Sequence, residues 1–85
     1  MLIETLKELC TLPGVSSHED AIRAYIREHI AAHADSIRVD AMGNLIAVKY
    51  GTAPEASRKK VMLCAHMDEI GFLVTYIEES GFIRV

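Results

Sequence analysis

Apolar residues recur at helical spacing from the start of the chain: Leu2, Ile3, Leu6, Leu9 and Cys10 fall on one side, with Glu4, Lys7, Glu8 and Thr11 opposite. The first dozen residues are therefore predicted to form an amphipathic helix, closed by Pro13-Gly14. Ser16 followed three residues later by Glu19 reads as a capping box, in which each side chain satisfies the other's free backbone N–H, and Asp20 adds charge favourable to the helix dipole. A second helix is predicted from near Ser17 to between His33 and Asp35. Ile22, Tyr25, Ile26 and Ile30 form its buried stripe, and 3.6 residues per turn puts His29 and His33 near the middle of that stripe as semi-buried packing residues.

Beyond the second helix the period changes. Ile37-Arg38-Val39-Asp40 alternates as a strand, Met42-Gly43-Asn44 supplies turn chemistry, and residues 45–50 resume as the second strand of a hairpin. Residues 51–59 carry Gly, Pro and Ser among polar positions and read as a surface loop. Val61-Met62-Leu63-Cys64-Ala65 is a continuous apolar run, the pattern of a central strand buried on both faces. It gives way to His66-Met67-Asp68-Glu69. Residues 72–77 read as another strand, residues 78–81 as a turn, and residues 82–85 as the opening of a further strand that lacks a partner. A strand begun so close to the last residue suggests truncation.

Composition narrows the class. With 51% hydrophobic, 25% charged and 6% aromatic residues, the chain is neither disordered nor collagenous nor a disulfide scaffold. Its 85 residues allow one small domain at most, with a thin core if it stands alone. The net charge of -3 argues against a nucleic-acid partner, and the one basic run, Arg58-Lys59-Lys60, has no stacking aromatics interleaved. Two cysteines, Cys10 and Cys64, fit a reducing compartment better than a disulfide framework. With no secretory signal and no apolar run of membrane-spanning length, the expected location is the cytoplasm, away from membranes.

His66 and Asp68 lie two residues apart at the end of the apolar run, so an extended backbone projects both side chains to one side. Ligands of open sheets collect beyond strand ends. An imidazole and a carboxylate placed this way act either as a metal ligand with its orienting partner or as a strand-end hydrogen-bonded pair without a catalytic role. Adjacent Asp68 and Glu69 face opposite ways, which disfavours a glycosidase, whose two carboxyls must oppose each other across one bond. His29 and His33 have the spacing of a helical zinc pair, but Ile30 stands where such a motif needs its Glu, so packing is the better account. His18 is expected to be exposed.

With Asp40, Gly43-Asn44 and Ala65-His66-Met67-Asp68-Glu69-Ile70-Gly71-Phe72 in view, the chain resembles the N-terminal part of the glutamyl and deblocking aminopeptidases. These are di-metal, co-catalytic zinc peptidases that form tetrahedral dodecamers. The likeness covers essentially all 85 residues. Pro13-Gly14-Val15-Ser16 looks like the family's early loop, residues 40–44 its hairpin signature and residues 65–72 its metal motif. Ser17 stands where many relatives have Gly.

The resemblance implies an α/β fold: residues 1–71 as the N-terminal part of an α/β/α metallopeptidase catalytic domain, and residues 72–85 as the start of an inserted β dimerisation domain. It implies that His66 binds one metal ion and that Asp68 is the catalytic acidic residue supporting that histidine. It also implies two divalent ions per site, zinc or cobalt, peptide substrates, and homo-oligomers built from dimers. The remaining ligands would come from the rest of the polypeptide, so this chain alone is expected to be inactive. A small non-catalytic α/β interaction domain, and another hydrolase of the superfamily such as a deacylase, are the alternatives. A cellulase is disfavoured by the carboxylate geometry.

Overall fold

A computed structural model describes residues 1–85. It is a mixed helix and strand chain, as expected at the level of class, with helices α1 (Leu2–Thr11) and α2 (Asp20–Ile30). Strands β1 (Ser36–Val39) and β2 (Leu45–Val48) form one antiparallel pair, and β3 (Tyr76–Ile77) and β4 (Ile83–Arg84) another. No helix is long and apolar enough to cross a membrane. The chain divides into two compact units, residues 1–22 with 67–85, and residues 23–66.

In the first unit, α1 ends as its sequence dictates. Leu12 turns to extended backbone ahead of Pro13, whose ring disfavours helical geometry in the residue before it. The Met1 amino group pairs with the Glu4 carboxylate and holds that group below its usual range. After Pro13 the chain runs beside a distant segment: Val15 pairs in parallel with Glu69, whose N–H donates to the Gly14 carbonyl at 2.8 Å. Two glycines here leave no room for a side chain, Gly71 at the approach itself and Gly14 under Ile22. A Cβ on Gly14 would lie 2.1 Å from Ile22 Cδ1, and one on Gly71 would lie 2.6 Å from Val15 Cγ2. Ile22, 5% exposed, is the one buried large hydrophobic residue.

The same unit holds the β3–β4 hairpin, in register Tyr76↔Arg84 and Ile77↔Ile83. Glu78 N–H donates to the Phe82 carbonyl at 2.8 Å and Arg84 pairs with Glu78 at 2.7 Å. The last strand is therefore partnered, contrary to the sequence expectation. The strand predicted over residues 72–77 shrinks to Tyr76–Ile77.

In the second unit, β1 and β2 pair as predicted, Ser36↔Val48 through Val39↔Leu45. Their turn is organised by Asp40, whose carboxylate accepts from Met42 N–H at 3.0 Å, Asn44 N–H at 2.9 Å and Asn44 Nδ2 at 2.9 Å. Gly43, at φ +85°, takes the left-handed position that this turn requires, and its carbonyl accepts from Arg23 at 2.9 Å. The Asn44 bonds, side chain first, hold the Asp40 carboxyl below the usual carboxylate range.

Three further expectations need correction. The apolar run at residues 61–65 forms no strand and lies exposed, Leu63 at 93%. Such a run encodes a demand for sheet neighbours on both edges, and the four strands of this chain pair only with one another. The Ser16–Glu19 capping box does not form. Glu19 accepts from Ser17 N–H at 2.8 Å, Ser16 turns elsewhere, and α2 begins only at Asp20. Finally, His29 and His33 are exposed, on and just after a helix whose one buried residue is Ile22. The His29 ring stacks on Tyr25 at 4.0 Å, and its Nδ1–H donates to the Tyr25 carbonyl at 2.8 Å.

Two predictions follow from these contacts. A carboxyl whose folded pKa is depressed stabilises fully above its unfolded value, about 3.9, and the effect is lost as pH falls through the lower folded value. The Asp40 turn should therefore stay ordered at pH 5 and above and loosen well below 3.9, as read from the Met42 and Asn44 amide chemical shifts, roughly as those pKa values dictate. In Asp40→Asn those shifts should be flat across the same range. Separately, Gly71→Ala should cost about 1–3 kcal/mol in urea unfolding, because the new methyl meets Val15, which is stiff at χ1. Adding Val15→Ala should restore part of the loss; a strictly additive double variant would show that the two residues do not abut.

Candidate functional site

The predicted site residues fall in different units, His66 in the second and Asp68 in the first. His66 is exposed and follows the apolar run without a strand beneath it. Asp68 is half-buried, and its position follows from the pairing described above. Where Val15 and Glu69 are paired, side chains alternate between the two faces, so the residue after Val15 and the residue before Glu69 share the opposite face. Those residues are Ser16 and Asp68. The Ser16 hydroxyl donates to Asp68 Oδ2 at 2.5 Å, the length of a charge-assisted O–H···O⁻ bond.

The early loop that carries Ser16 is itself held. His18 N–H donates to the Val15 carbonyl at 2.8 Å, and Ser17 sits at φ +71° with its N–H on the Glu19 carboxylate. That left-handed backbone suits glycine and is a local cost for a serine. Two ties to the early loop follow Asp68 directly: Glu69 N–H on the Gly14 carbonyl, and the close approach of Gly71 to the Val15 side chain.

Sequence reasoning singled out Asp68 but assigned Ser16 to a helix cap. The signal that pointed elsewhere was present: the Pro13-Gly14-Val15-Ser16 likeness to the early loop of a peptidase family. Of the remaining donors, His29 has its Nδ1 on a carbonyl, and Cys10 and Cys64 are free thiols at exposed positions.

An imidazole and a carboxylate are donors of the type that divalent cations take. Their number falls short of a site, which needs three or four protein ligands, since no three His, Cys, Asp or Glu side chains gather here. The residues present fit a metal centre in kind, as contributors to one and not as the whole.

The chain is similar throughout its length to peptidases. The M42 glutamyl aminopeptidase family matches residues 43–85, from the glycine of the Asp40 turn through the His66 and Asp68 motif. A putative aminopeptidase of Acetivibrio thermocellus is 48% identical over 83 residues, which cover 98% of this chain and 24% of that protein. The lysyl aminopeptidase of Pyrococcus furiosus is 40% identical over 83 residues, 96% of this chain and 22% of that protein. The glutamyl aminopeptidase of Lactococcus lactis is 30% identical over 84 residues, 99% of this chain and 23% of that protein. The chain thus spans about a quarter of the length of these relatives. No solved structure matches it significantly. A chain that matches the family over half its length, and that is 30–48% identical over nearly all of it to proteins named as aminopeptidases, belongs to the M42 glutamyl aminopeptidase family.

Proposed function

We propose that this chain is the N-terminal part of a metal-dependent aminopeptidase, cytoplasmic and oligomeric, that removes N-terminal residues from peptides. In this reading residues 1–71 belong to an α/β/α catalytic domain and residues 72–85 open an inserted β domain. His66 would hold one of two divalent ions, zinc or cobalt. Such ions, when bound, polarise a scissile carbonyl and lower the pKa of a water. Asp68 supports the histidine, fixing its ring and supplying negative charge beside it. The further ligands come from polypeptide outside these residues.

One observation carries the reading: the family match includes His66-Met67-Asp68-Glu69, and the Asp68 side chain is held by the early loop of the same chain. A carboxylate kept only for a strand-end pair has no need of a second segment to orient it. The small interaction-domain alternative leaves this unexplained.

The two residues should fail differently when replaced in the full-length enzyme that carries this segment. His66→Ala should lose bound metal and activity together. Asp68→Asn should keep its metal, because the amide oxygen still accepts from an imidazole, yet turn over aminoacyl p-nitroanilides about 10–100-fold more slowly. Metal content by mass spectrometry and initial rates check both. Wild-type turnover in both variants would remove these residues from the site.

A further inference from the structure

We infer that Ser16 is a positioning residue for the peptidase reaction, acting through Asp68; the inference rests on the catalytic assignment of Asp68 proposed above. Asp68 has two carboxylate oxygens and a rotatable side chain, and a carboxylate that orients another group works only if its own rotamer is fixed. The Ser16 hydroxyl fixes it, donating to Oδ2 from 52 positions away in sequence.

The donor is placed by backbone and not by chance of side-chain reach. Pairing of Val15 with Glu69 puts Ser16 and Asp68 on one face, the Glu69 N–H bond to Gly14 fixes the register, and Gly71 lets the two segments close to contact. The φ of +71° at Ser17 then turns the chain away at once, so that Ser16 does not serve as the cap of α2. A left-handed serine at that point is a local cost, which the surrounding contacts sustain. Ser16 touches no reacting atom in this scheme. Its contribution is to hold one carboxylate oxygen so that the other keeps a fixed direction.

The test is a set of variants in the full-length, metal-loaded enzyme, assayed with aminoacyl p-nitroanilides. Ser16→Ala should lower kcat about tenfold, the scale of losing a partner to a group that orients a metal ligand, with KM within about twofold and metal content unchanged. Ser16→Thr, which keeps the hydroxyl, should restore most of the rate. In an Asp68→Asn background, Ser16→Ala should have little further effect, because the two act as one unit.

Wild-type kcat in Ser16→Ala alongside an impaired Asp68→Asn would overturn the role of Ser16 and leave Asp68 in the site. Wild-type kcat in Asp68→Asn would instead overturn the assignment of Asp68. Should Ser16→Ala lose its fold by thermal melt, Ser16→Cys and Ser16→Thr carry the comparison. A rate that follows melting temperature and ignores the presence of the hydroxyl would make Ser16 merely structural and refute the inference.

Discussion

The parallel pairing of Val15 with Glu69 is the constraint on which the placement of Asp68 depends. It joins two stretches more than fifty residues apart. Closing a loop of that length costs roughly 3.5 kcal/mol beyond a constant term, since the cost rises as three halves of RT times the logarithm of length. One backbone hydrogen bond and one serine hydroxyl return about 1 kcal/mol each once water's competition is counted. Hydrogen bonding alone therefore does not hold the segments together. The close approach of Gly71 to Val15 adds van der Waals contact across the pairing. Gly71 matters because a side chain there would occupy the space of Val15 across the pairing, and Gly14 because one there would occupy the space of Ile22.

What was legible in the sequence was what depends on near neighbours. α1 could be read from its apolar spacing and Pro13, the β1–β2 hairpin from alternation and Gly43-Asn44, and the turn before β4 from Glu78 through Gly81. Each is decided within a few residues. Among the features that escaped, two did so for opposite reasons. Ser16 and Glu19 stand at the spacing of a helix cap, a local rule, and a contact 52 positions away claimed the hydroxyl instead. Residues 61–65 carry the pattern of a central strand, but that pattern states only what the segment needs, and strands with free edges must supply it. The site was legible in part. Spacing marked His66 and Asp68 as a pair and left metal binding and plain hydrogen bonding open; the likeness to a peptidase family is what favours the first, the reading proposed above.

The exposed hydrophobic side chains follow from the same contrast between local and distant decisions. α1 presents Leu2, Ile3 and Leu6 to solvent, and residues 61–63 are at least 84% exposed. The stripe and the run are intact as patterns, while little of this chain covers them. The segment spans about a quarter of its relatives' length, and membership in the M42 family gives these faces their context. The loop around Asp68 differs because both of its halves lie within the chain. It is the part of the proposed site whose two segments are paired with each other in this chain.

Amide hydrogen exchange at Glu69 tests that claim most directly, because its N–H is the donor that sets the register of the early loop against the Asp68 segment. The account predicts that this amide exchanges slowly, with protection comparable to that of the β1–β2 hairpin amides, and that Gly71→Ala removes the protection while sparing the hairpin. Exchange of the Glu69 amide at the rate of an unstructured peptide, in a protein whose β1–β2 amides are protected, would contradict it.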